Sequence, residues 1–77
     1  MKNQLAVYSK LLKENLERNG CMFIMQKSET ISRSLILQFH RNNVSETVIH
    51  KAVEPLHCIH MVELGKDIVT ILLQEEI

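Results

Sequence analysis

Tryptophan is absent from this chain, and 77 residues hold only one proline, two glycines and two cysteines. With Gly20 and Gly65 as the only glycines, no glycine-rich loop can cradle a phosphate. A structural zinc site needs four ligands in tetrahedral geometry, and neither a Cys-x-x-Cys nor a His-x-x-x-His pair is present. No metal or cofactor is therefore expected. Cys21 and Cys58 stand far apart, each inside an apolar run, and are expected as buried free thiols of a reducing compartment. No apolar run approaches the ~18 residues that would suggest a membrane span. Met1-Lys2-Asn3-Gln4 leads straight into an amphipathic pattern, so a cytoplasmic protein is expected. An excess of either charge is missing too, since nine basic residues balance nine acidic ones. Nucleic-acid-binding domains usually carry a positive excess, because affinity comes largely from counterions released at phosphates. Neutrality lowers that reading, although a local basic patch would suffice.

What is present is a globular composition, 45% hydrophobic against 23% charged, in a length suited to one domain over residues 1–77. Leu5, Tyr8, Leu12 and Leu16, widened by Val7 and Leu11, predict a helix over 3–18 that stops at Asn19-Gly20. That stripe serves equally as a core contact or a dimer seam. Cys21 to Met25 is a short apolar run and predicts a buried strand. Met22, Met25 and Met61 would most commonly fill the core, the alternative being a soft, adaptable binding surface. Ser28 caps an expected second helix running to about His40, with Ile31, Leu35, Ile36 and Phe39 inward. Arg41-Asn42-Asn43 makes a turn. A third helix follows from Ser45 to Pro55, with Val44 and Ile49 as a hydrophobic staple and Val48, Ala52, Val53 and Leu56 completing its stripe. His57–Leu64 and Asp67–Gln74 predict a β-hairpin closed by a two-residue turn at Gly65-Lys66. That register sets Val62 opposite Val69, His60 opposite Ile71 and Cys58 opposite Leu73 on the core side. The other side carries Ile59, Met61, Ile68 and Leu72, too apolar to be fully wet. No internal repeat is visible.

The order helix, strand, helix, turn, helix, hairpin resembles the winged helix-turn-helix arrangement, and the fold class expected is a small winged-helix-like α+β domain. The resemblance lies in element order and spacing across nearly the whole chain. It implies a helix-turn-helix over 29–54 and a wing tip at Gly65-Lys66. The third helix would then present Ser45, Thr47, His50 and Lys51 to a DNA groove, with Arg41 and Lys66 on the backbone to either side. This chain departs from the pattern at its turn, where Asn42 or Asn43 replaces a glycine. Glu46 and Glu54 also cancel the charge of Arg41 and Lys51.

Catalysis is not expected, because so short a chain has little room for both a core and a pocket and shows no activated nucleophile. Two readings from different classes follow. One is a DNA-binding transcriptional regulator, expected as a homodimer and using Arg41, Ser45, Thr47, His50, Lys51 and Lys66. The other is a protein-binding inhibitor, adaptor or antirepressor that docks through Ile59, Met61, Ile68 and Leu72 and touches neither nucleic acid nor membrane. A basic stripe of Arg33, Arg41, Lys51 and Lys66 would favour the first. An exposed apolar patch with interspersed charges would favour the second.

Overall fold

The computed structural model describes residues 4–29, 33–56 and 59–74. Its elements run α1 (Gln4–Arg18), β1 (Met22–Glu29), β2 (Ser34–His40), α2 (Glu46–Val53), β3 (Ile59–Leu64) and β4 (Ile68–Gln74). The strands form one antiparallel sheet in the order β1-β2-β4-β3. A helix–strand–strand unit is thus used twice, with the second strand of each unit at the centre and the first at an edge. This repeat exists in the topology although none is visible in the sequence.

The first helix forms as its periodicity predicts. Leu5, Leu12 and Leu16 are buried and Tyr8 packs beside them. The stripe is narrower than expected, because Val7 and Leu11 face solvent. Ser9 turns inward instead, and its hydroxyl donates to Gln26 Oε1 at 2.8 Å. The helix ends in a Schellman motif. Cys21 N–H reaches the Leu16 carbonyl at 2.9 Å and Gly20 N–H reaches Glu17 at 3.1 Å. Gly20 supplies the required left-handed backbone (φ 109°), and a Cβ there would lie 3.3 Å from Val44 Cγ2.

The expected second helix is not formed, and the helix-turn-helix of 29–54 goes with it. Ser28 lies in β1 and caps nothing, while Ser34–His40 is a strand. Leu35 and Phe39 are four apart, and an even spacing suits a strand face as well as a helix face. Leu37 separates the two cases. On a helix it would point some 200° away from Leu35, yet Leu35, Leu37 and Phe39 are all buried on one side of the sheet. Pairing with β4 completes that set, placing Leu35 opposite Leu73, Leu37 opposite Ile71 and Phe39 opposite Val69. These residues with Leu12, Leu16, Ile49 and Val53 form the core between the sheet and the two helices. The winged-helix expectation is replaced by a two-layer α+β fold with an open, four-stranded antiparallel sheet.

Other expectations are met with adjustments. The strand beginning near Cys21 exists, but it runs to Glu29 at a sheet edge and is exposed rather than buried. Asn42 and Asn43 adopt the left-handed conformation (φ 52° and 65°), turning a strand into a helix rather than one helix into another. Ser45 caps α2, its Oγ accepting from Val48 N–H at 3.3 Å. In the last hairpin Val62, Val69, Ile71 and Leu73 keep the side expected of them, but the register is displaced by two residues. Val62 pairs with Ile71 and Leu64 with Val69. Gly65 N–H donates to the Ile68 carbonyl at 2.9 Å, so Lys66 and Asp67 stand at the centre of the turn. A side chain on Gly65 would meet that same carbonyl oxygen at 2.9 Å, which accounts for the glycine.

Candidate functional site

Six residues were singled out as DNA contacts, and the structure gives them different work. Arg41 is half-buried, and its guanidinium is engaged within the fold. Its Nη1 donates to the Gly65 carbonyl at 2.6 Å, while Nε and Nη2 donate to the Val44 carbonyl at 3.3 and 3.0 Å. Its own N–H donates to the Asp67 carbonyl at 2.7 Å. Beside it, Asn42 Nδ2 donates to the Gly20 carbonyl at 2.9 Å. Arg41 and Asn42 together tie the α1–β1, β2–α2 and β3–β4 connections at one end of the sheet. Ser45 is occupied as the α2 cap. Thr47, His50 and Lys51 are exposed on α2, and Lys66 is exposed at the hairpin tip.

The expected stripe is broken at Arg33. Arg33 precedes β2 and Arg41 follows it, so the two lie at opposite ends of that strand. Lys51 lines a shallow recess between the helices with Asn15, Asn19, Val48 and Ala52. Its polar lining is uncharged apart from Lys51, which offers little to a polyanion.

Neither helix covers the other face of the sheet, and the second candidate set gathers there. The strand register aligns Lys27, Ile36, Leu72 and Met61 in one cross-strand row. A neighbouring row holds Met25, Gln38, Thr70 and Glu63, in which Gln38 Nε2 donates to Thr70 Oγ1 at 3.2 Å. Met22 and Ile68 flank these rows on either side of His40. Met61 is 63% exposed and Met22 59%, so these methionines do not fill the core as expected. Ile59 belongs to the same surface only by register, opposite Gln74. Sequence reasoning missed Met25, Ile36 and Gln38 on this face. The misread helix hid them, since a strand reading of 34–40 would have placed Ile36 and Gln38 opposite the core side.

Cys21 is buried and unbridged, as expected. Burial pushes its thiol up, against a smaller pull downward from the Arg41 cation, which leaves a poor nucleophile at neutral pH. Cys58 and His57 lie outside the described residues. Among the described residues no three His, Cys, Asp or Glu side chains are grouped to hold a metal, and no helix is long and apolar enough to cross a membrane. Comparison of the chain with protein-family models, curated proteins and solved structures found no match in any of the three.

Proposed function

We propose that this protein is a non-catalytic interaction module that docks the open face of its sheet on another protein. The cross-strand row Ile36–Leu72–Met61 carries the reading. It sets apolar side chains side by side on a surface that neither helix covers. Lys27 and Glu29 border the row on one side and Glu63 stands near its other end, so an apolar centre has a rim of both charges. Protein interfaces have that anatomy, whereas a nucleic-acid surface needs cations in excess. Methionines suit such a surface, because an unbranched thioether adapts its shape to a partner. The DNA-binding reading keeps only Thr47, His50, Lys51 and Lys66, without the second helix that a helix-turn-helix requires.

Two measurements test this on the same preparation. Titration with mixed-sequence duplex DNA at low salt is expected to show no binding. Affinity capture with the wild type and with Lys51→Glu is expected to retain the same partner, and capture with Leu72→Lys to lose it while the circular dichroism stays unchanged. Tight DNA binding that weakens steeply with salt and with Lys51→Glu would restore the regulator reading. A partner held equally by all three forms would remove the open face from consideration.

A further inference from the structure

The sheet has two edges, and they differ in kind. β1 carries the features that keep an edge from pairing: a register irregularity at Ile24, between Phe23 and Met25, and the charged Lys27 and Glu29. β3 carries almost none of them. Its pairing with β4 is continuous from Ile59 to Leu64, it holds neither proline nor glycine, and Glu63 is its one charge.

Its backbone groups that have no partner among the described residues can be assigned. Because Gly65 N–H bonds to Ile68, the alternation of an antiparallel ladder makes Glu63, Met61 and Ile59 the residues bonded to β4. The N–H and C=O groups of His60, Val62 and Leu64 therefore point off the sheet. A second observation falls on the same strand. Val62 and Leu64 lie on the helix side, yet they stay half-exposed, unlike their fully buried partners Ile71 and Val69.

We propose that β3 is a dimer interface, pairing antiparallel with β3 of a second copy about a twofold axis. Another strand is what a row of alternating donors and acceptors fits. A second copy fits this one because the strand complements itself. With the axis at Val62, Val62 faces its own counterpart, Met61 faces Glu63 and His60 faces Leu64. No like charges are opposed, and a chain of zero net charge does not repel its copy at a distance. The contact covers Val62 and Leu64 with their counterparts and yields an eight-stranded sheet, helices all on one side. The open faces then run on across both copies. This dimer stands whether or not that face binds a further protein.

Sedimentation equilibrium from about 1 to about 100 µM tests it, because self-association follows concentration. The wild type is expected to dimerise. Val62→Pro deletes an outward N–H and no β3–β4 bond, so it is expected to weaken dimerisation at least about tenfold with the circular dichroism unchanged. In the wild type, the Val62 amide is expected to exchange hydrogen slowly when concentrated and faster on dilution. A monomeric wild type, or a Val62→Pro dimer of undiminished affinity, would overturn the proposal. Should Val62→Pro fail to fold, the exchange decides: a Val62 amide unprotected at high concentration is a free edge.

Discussion

Arg41 shows how a residue that reads as a surface cation can be a piece of framework. Nothing in Arg41-Asn42-Asn43-Val44 announces that the guanidinium reaches the Gly65 carbonyl, 24 residues further on. A contact of that kind depends on the sheet order, which no local pattern contains. The left-handed Asn42 and Asn43, the Ser45 cap and the Gly20 stop were legible, because each is a local backbone requirement met by a particular residue type. The placement of Arg41 has a measurable consequence. Arg41→Ala leaves the Val44 and Gly65 carbonyls without their charged donor and is expected to cost about 1–3 kcal/mol in urea unfolding. Lys51→Ala, exposed on α2, is expected to stay within about 0.5 kcal/mol of wild type. Equal effects at the two positions would mean that the three connections hold without Arg41. It also follows that charge reversal at Arg41 would confound any binding assay with a loss of stability.

At the scale of elements, α1, α2 and both strands of the last hairpin were readable, and the segment 28–40 was not. Its apolar residues at 31, 35, 36 and 39 satisfy a helical stripe, and Ser28 has the chemistry of a cap. What overrides this is tertiary: β4 lies alongside and gives Leu37 a buried partner in Ile71. The two readings predict opposite mutational patterns. As a strand, 34–40 makes Leu37→Ala cost about 2–5 kcal/mol and Ile36→Ala about 1 kcal/mol or less, since Leu37 is fully buried and Ile36 lies on the open face. A helix with the expected stripe would reverse that order. Chemical denaturation of the two variants reads it directly. The hairpin shows the same limit in milder form. Alternation fixed which residues face the core, but a shift of two residues keeps every side chain on its face, so pattern alone left the register open.

For the molecule as a whole, the twofold use of helix–strand–strand gives two halves that share one core. Leu5, Leu12, Leu16, Leu37 and Phe39 come from the first half, and Ile49, Val53, Val69, Ile71 and Leu73 from the second. Neither half has a complete sheet, because β4 lies between β2 and β3. A chain ended after Leu56 is accordingly expected to lose cooperative unfolding, seen as a thermal melt without a sigmoidal transition. A sharp melt from that fragment would show that α1, β1, β2 and α2 suffice. Composition set the expectation of no phosphate loop and no zinc site at the outset, and balanced charge already weighed against nucleic acid. The candidate interaction face was half legible: Met61, Ile68 and Leu72 came from the hairpin pattern, whereas Ile36 needed the β2–β4 pairing and Met25 the β1–β2 pairing to join them.

The central seam between β2 and β4 joins Ser34–His40 to Ile68–Gln74. On a ribosome, β2 is therefore complete well before its inner neighbour has been made. At roughly 5–20 residues per second, the intervening stretch takes on the order of 1–5 s to synthesise. Through that interval Leu35, Leu37 and Phe39 have no strand to lie beside on that flank, so the central pairing of the sheet closes only once β4 has been made.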